Sequence, residues 1–264
     1  MTTMLKRQWH ALRASLLTLA TGKRRSLAYH QALNLPLGHV QRWLEHCLPS
    51  LCLLCAAQAT SDGFCDGCLH DLPKPSSPLC PQCALPVPNA QRCGQCLQHP
   101  PAFDRTIATW YYVWPVDYLI QRYKYQQAID FAKAFAQHML LALNTTALPQ
   151  IIIPMPLHRQ RQRQRGFNQA LELARPISKC LAIPLGFNWV TRTKATPAQA
   201  KLSRSQRQRA IRDAFQCHRQ LQQQRVAIID DVMTTGATAN ALAATLKAAG
   251  AKQVDVWVLA RTLA

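Results

Sequence analysis

The stretch Val226-Ala-Ile-Ile-Asp230-Asp231-Val-Met-Thr234-Thr235-Gly236-Ala-Thr238 decides the fold. Its apolar opening suits a buried parallel strand, and residues 237–249 suit the helix that follows. The turn between them falls at the carboxyl end of the strand, where α/β sheets bind ligands. Backbone N–H groups over Thr234, Thr235, Gly236, Ala237 and Thr238, with three threonine hydroxyls and a helix N-terminus, make a cradle for a phosphomonoester. Gly236 lets the backbone approach the phosphate without a side chain in the way. Asp230 and Asp231 would repel a second phosphate, yet they are good acceptors for a pair of ribose hydroxyls. A 5-phosphoribosyl group therefore fits both halves. The plainer readings are an N-cap aspartate or an acidic metal site without ribose.

Outward from this turn, strand-like and helix-like segments alternate: 105–113, 116–124, 130–143, 150–153, 168–181, 225–229, 237–249 and 254–259. Such alternation argues for an α/β sheet that is mostly parallel. The 264 residues, 48% of them hydrophobic, suffice for one full domain and a smaller module. No apolar run approaches the roughly 20 residues that span a bilayer.

Upstream, Cys52-x2-Cys55, Cys65-x2-Cys68, Cys80-x2-Cys83 and Cys93-x2-Cys96 form a tandem repeat with gaps of nine, eleven and nine residues. Each Cys-x-x-Cys knuckle turns two thiolates to one side, and two knuckles complete the tetrahedral sulfur shell that Zn²⁺ prefers. Eight cysteines imply two structural zinc sites; which knuckle pairs with which stays open. The surrounding residues are proline-rich and poor in large apolar side chains, so metal must replace a core. Disulfides compete, but Arg13 interrupts the apolar 12–20 segment, no export signal results, and a reducing cytoplasm is expected. Cys47, Cys180 and Cys217 read as small buried hydrophobes.

Charge adds an anionic partner, because 31 Lys+Arg against 12 Asp+Glu give a formal +19. Residues 151–225 carry 15 basic residues against Glu172 and Asp213. One basic run, Arg159, Arg161, Arg163 and Arg165, follows the strand at 151–153. A second contains Arg192, Lys194, Lys201, Arg204, Arg207, Arg209 and Arg212. Arg165, beside Gly166-Phe-Asn, is the candidate to face a ligand, whereas Arg159, Arg161 and Arg163 serve the surface field. Phosphate contacts without base-reading groups suit single-stranded DNA.

The Asp230-to-Thr238 segment looks like the signature of type I phosphoribosyltransferases, and from Cys47 to Ala264 the chain resembles the ComF family of competence-associated proteins. The match includes the double cysteine ribbon, Tyr123-Lys124-Tyr125, Ile153-Pro-Met-Pro-Leu-His158, Arg165-Gly-Phe-Asn-Gln169, Thr196-x2-Gln199-x2-Leu202 and Ala214-Phe215. Two departures stand out: Ala210 where the family carries Asn three residues after Arg207, and a longer segment before Cys47. Composition divides the chain into a basic extension (1–46), a cysteine-rich module (47–101) and an α/β part (102–264), and the resemblance implies that the last two are a double zinc ribbon and a phosphoribosyltransferase-like domain. It further implies that phosphoribosyl diphosphate binds with Mg²⁺, with Asp230, Asp231 and Arg165 at the reacting end. The run at 159–165 would be a diphosphate loop, and the second run, with Lys201, Arg204 and Arg207, a mobile loop. DNA handling in natural transformation or nutrient use, alongside DNA-uptake machinery, follows from the same likeness. Its alternatives are transfer of phosphoribose to a nitrogenous base, and a non-catalytic donor sensor.

Overall fold

Apolar runs without alternation build the buried strands of the sheet. Strand β2 (Ile151–Pro154) is buried at every position, and β6 (Gln253–Arg261) at all but its first. With β1 (Arg105–Tyr111) and β5 (Arg225–Met233) they form an all-parallel sheet in the order β1-β6-β5-β2. Strands enclosed on both faces need no polar alternation. The computed structural model describes residues 51–59, 62–76, 78–125, 131–143, 147–193 and 214–263, all within one compact unit, Ser50–Ala264. The basic extension, Cys47 and the second run's Lys194, Lys201, Arg204, Arg207, Arg209, Ala210 and Arg212 lie outside the described residues.

The two-residue period of the strands divides the core. Ile152, Ala227, Ile229, Trp257 and Leu259 face one side. There they meet α3 (Val116–Tyr125), α4 (Phe131–Ala142) and α6 (Gln169–Leu181) through Leu119, Tyr123, Phe135, Leu173 and Ile177. Ile151, Ile153, Val226, Ile228, Val256 and Val258 face the other side, against Leu242, Ala243 and Leu246 of α7 (Ala237–Ala248). Register agrees: Ile153 pairs Ile228, and Ile228 pairs Val256.

The ribbon has little core of its own. It contributes α1 (Asp66–Asp71) and α2 (Gly94–Gln98), each opening just after a cysteine. Its first half joins the α/β core through Cys52, Phe64 and Leu72. Phe64 meets the Trp110 ring edge-on at 6.1 Å, and Trp110 meets Phe135 at 5.9 Å. The second half has a small cluster of its own around Cys80, Cys83 and Cys96.

Three local expectations change. Strand β5 runs on from Ile229 to Met233, because Asp230 and Val232 pair with Val258 and Ala260 of β6. The basic stretch expected to be a diphosphate loop is instead helix α5 (Arg159–Arg165), capped by His158, whose ring accepts from the Gln160 N–H, and closed by Gly166 at φ +79°. A small antiparallel pair, β3 (Val190–Arg192) with β4 (Phe215–Cys217), flanks the region outside the described residues.

Candidate functional site

The structure resolves the pairing of the knuckles. Cys52, Cys55, Cys65 and Cys68 bring their sulfurs within 4.8 Å of one another, and Cys80, Cys83, Cys93 and Cys96 do the same. First joins second, and third joins fourth. The nearest gaps, Cys55 to Cys65 and Cys83 to Cys93, are both 3.6 Å. Zn–S bonds of about 2.3 Å set tetrahedral sulfur edges near about 3.8 Å, so both shells fit zinc. Burial pushes the Cys52 thiol up, but N–H groups of Cys55, Cys65 and Leu54 outweigh it and bring the pKa down to about 6. Cys80 falls to about 7, where N–H groups of Cys93, Cys83 and Gln82 overcome burial in the same way. Those donors favour the thiolate, which is the ligand form. Cys180 and Cys217 are not buried as expected. Cys180 is on the exposed side of α6, and Cys217 is half-buried with its thiol donating to the Arg219 carbonyl at 3.2 Å.

At the other end of the chain, β5 delivers the acidic pair to the carboxyl edge of the sheet. Asp231 is buried, accepts from the Val232 N–H at 2.8 Å and pairs with Lys124 at 2.7 Å. Asp230 is half-buried and accepts from the Asp231 N–H at 2.9 Å. Burial, then the neighbouring Asp231 charge, holds the Asp230 carboxyl well above the usual carboxylate range. Two adjacent carboxylates with one cation between them leave the half-exposed member ready to take a neutral donor.

The turn that follows exposes Thr234 and Thr235 and half-buries Ala237 and Thr238. Gly236 caps α7 at φ +77°, and a Cβ there would stand 2.6 Å from Met233 Cε. The conformation therefore requires glycine, while the methionine tip is free to shift.

Not every candidate converges. Arg165 donates to Gln169 Oε1 at 3.0 Å and lies over the Tyr125 ring, its guanidinium 5.3 Å from the centroid. Arg159 and Arg163 are exposed. Arg161 is half-buried and close enough to Arg192 to lower that guanidinium's pKa, second to burial, while Asp230 raises it. The acidic pair thus has Lys124 and Arg192 in its field.

Lys124 and Arg261 were not among the sequence candidates. Arg261 is 4% exposed and donates to the carbonyls of Cys83, Met233, Thr234 and Thr262. Gln82, inside the third knuckle, donates to the carbonyl of Phe103 at 3.0 Å. Arg261 fastens the second metal site to the turn and Gln82 fastens it to the segment before β1, around a cleft of about 370 Å³ lined by Cys96, His99, Phe103, Gly236 and Asn240 among others. For Lys124 a signal existed in Tyr123-Lys124-Tyr125; for Arg261 none did.

Residues 43–97 match the family described as a double zinc ribbon domain. A DNA utilization protein, YhgH, of Escherichia coli O157:H7 is 37% identical over 225 residues, covering 82% of this chain and 99% of that protein. Competence protein F of Haemophilus influenzae is 36% identical over 210 residues, covering 76% of this chain and 91% of that protein. Among solved structures, a purine phosphoribosyltransferase from Pyrococcus horikoshii Ot3 aligns at 25% identity and a TM-score of 0.30, covering 52% of this chain and 75% of that one. No helix among the described residues is long and apolar enough to cross a membrane. With relatives of such identity along most of its length, the chain belongs to the ComF family, and a four-stranded parallel sheet flanked by helices follows its double zinc ribbon.

Proposed function

We propose that the protein binds phosphoribosyl diphosphate at the β5–α7 turn and handles DNA in competence or nutrient use. The observation that carries the first half is the order of groups along one edge. Asp230 and Asp231 lie in the last half of a parallel strand, Gly236 at φ +77° opens the helix behind them, and Lys124 pairs with the inner acid at 2.7 Å. In this reading N–H groups at 235–238 hold the 5-phosphate. Asp230 accepts the ribose hydroxyls, and Asp231 is the positioning acid, held between Lys124 and the Val232 N–H. Where Mg²⁺ accompanies the donor, Asp230 offers the hard oxygen it prefers, and the ion neutralises diphosphate charge. Arg192 adds positive field beside Asp230, with Arg161 next to it; in this reading Arg165, over Tyr125, and Lys201, Arg204 and Arg207 of the second run complete the basic set.

The DNA half is supported by relatives named for DNA utilization and competence and by the formal charge of +19. Single-stranded DNA is the partner, met through Arg159 and Arg163, in the cytoplasm where thiolate zinc sites persist. DNA-uptake machinery would supply it. We take 47–101 as the ribbon and 102–264 as the ligand-binding domain, with 1–46 as an extension.

Calorimetry with phosphoribosyl diphosphate and Mg²⁺ tests the site on wild type and on the Asp230→Asn/Asp231→Asn pair. Each charged hydrogen bond lost is worth about 1.5–3 kcal/mol, or roughly tenfold to hundredfold in affinity. Equal affinity in both proteins sinks the site. A diphosphate-release assay across bases, nucleosides and DNA then separates a transferase from a donor sensor, which binds without turnover.

A further inference from the structure

One face at the start of the α/β unit is aromatic, basic and uncovered. Trp114 is 70% exposed, Tyr118 41% and Tyr125 69%. Trp114 stands just ahead of α3, and Tyr118, Arg122 and Tyr125 follow at spacings of four, four and three, so all project from one side of the helix. From Tyr118 to Tyr125 the helix rises about 10 Å.

The two tyrosine rings carry cations, and Trp114 stands against Tyr118. Trp114 and Tyr118 have centroids 5.6 Å apart at 42°. The Arg122 guanidinium lies 5.8 Å from the Tyr118 centroid and 5.2 Å from that of Phe131, and it also donates to the Leu53 carbonyl at 3.2 Å. At the far end Arg165 lies over Tyr125, linking the strip to the exposed Arg159 and Arg163 of α5. Asp117 is the acid on its flank, and its carboxylate accepts from the Tyr118 N–H at 2.7 Å.

We propose that this strip, Trp114–Tyr118–Arg122–Tyr125, is a base-stacking platform for single-stranded DNA, with Arg159 and Arg163 taking the phosphates beyond it; this rests on the DNA-handling function proposed above. Aromatic faces accept any base, and the basic groups beside them track the backbone, which is the combination that sequence-independent single-strand binders use. A protein-binding face would use the same ring types, but the run of arginine leading away from Tyr125 favours a polyanion. Mutual contact between Trp114 and Tyr118 keeps two rings erect without burying them, so little ordering entropy opposes stacking.

The test compares a labelled oligothymidylate with an abasic oligomer of equal length, by fluorescence anisotropy on the zinc-loaded full chain. Wild type should prefer the thymidylate. Trp114→Ala/Tyr118→Ala should lose about tenfold or more on the thymidylate, at 1–3 kcal/mol per stacked base, with its abasic affinity and salt slope unchanged. Trp114→Phe/Tyr118→Phe should keep the preference, and Tyr125→Ala reads the same loss should the alanine pair fail to fold. A preference that survives in the alanine variants overturns the platform while leaving DNA handling intact. So does a change in sedimentation, which would mark the strip as a contact between copies. Wild type that binds neither oligomer removes the DNA function itself.

Discussion

Arg261 donates from Nε to the carbonyl of Cys83 at 2.9 Å, and through Nη1 the same guanidinium reaches the carbonyls of Met233, at 3.1 Å, and Thr234. One side chain therefore joins a knuckle of the second metal site to the turn proposed to hold phosphate. Arg261→Met would leave buried carbonyl oxygens unpaired, at about 1.5–3 kcal/mol for each bond to a charged donor. A drop of at least about 2 kcal/mol is expected in denaturant unfolding of the zinc-loaded protein. Arg261→Lys should not restore it, since one ammonium cannot span acceptors that a planar fork reaches. A Lys variant of wild-type stability would show that charge alone, and not the fork, is what the site uses.

The two zinc sites should differ when broken. Cys52 shares a core with Phe64, Trp110 and Phe135, whereas Cys80, Cys83 and Cys96 form a separate cluster. Cys52→Ser is expected to lose one metal and to lower the melting temperature of the whole α/β unit. Cys80→Ser should also lose one metal but shift the main transition less. Elemental analysis paired with calorimetric melting checks both, and equal shifts would contradict the division of the core.

Asp230 makes stability depend on pH. Its pKa in the fold is raised, by burial first and then by Asp231. A raised acid is favourable to the fold while protonated, so stability is fully present below the unfolded value of about 3.9 and is lost as pH rises through the folded one. Asp230→Asn removes that penalty. Its unfolding free energy should exceed that of wild type at neutral pH, with the gain shrinking toward pH of about 4. A gain independent of pH would mean that the carboxyl carries no elevated titration. The same variant should bind phosphoribosyl diphosphate worse, a stability gained at the expense of a site.

Gly236 is held by both torsion and space. An added Cβ meets Met233 Cε at 2.6 Å, and φ is +77°. The methionine tip can swing aside, but the torsion cannot be relieved, and left-handed backbone costs about 1–2 kcal/mol with a Cβ. Gly236→Ala should therefore unfold about 1–2 kcal/mol more easily, and Gly236→Val more easily still. In urea titrations, Gly236→Ala in a Met233→Ala background should retain most of that loss; full recovery would assign the whole effect to the contact.

Much of this architecture could be read from the sequence where local pattern and tertiary outcome agree. Ile151–Ile153 and Val226–Ile229 are apolar and largely β-branched, and they form the buried strand β2 and the start of β5 beside it. The reading stopped at Ile229 because aspartates are poor strand residues, yet pairing of Asp230 with Val258 carries β5 onward. The Arg-Gln alternation at 159–165 lacks an apolar stripe, so it read as loop; both residues are good helix formers, and His158 and Gly166 supply the ends. Strands of three residues at 190–192 and 215–217 are too short to leave a periodic trace. The groups of the turn proposed to hold phosphate are contiguous in sequence, so pattern alone brings them together. Lys124 and Arg261 were not placed at it because their partners are distant in the chain, Cys83 lying 178 residues before Arg261.

The position of β6 sets an order of assembly. It lies between β1 and β5, and β1 pairs with no other strand of that sheet. Arg105 finds Asp255 across 150 residues of intervening chain. During synthesis β1 therefore emerges early and waits, its backbone donors unpaired, until residues 253–261 have left the ribosome. The knuckles face no such delay, since both cysteine sets are complete once Cys96 has emerged and metal supplies their folding energy. Chain order thus lets metal capture precede sheet closure, and the Arg261 fork, arriving with the last strand, joins the ribbon to the turn proposed to hold the ligand.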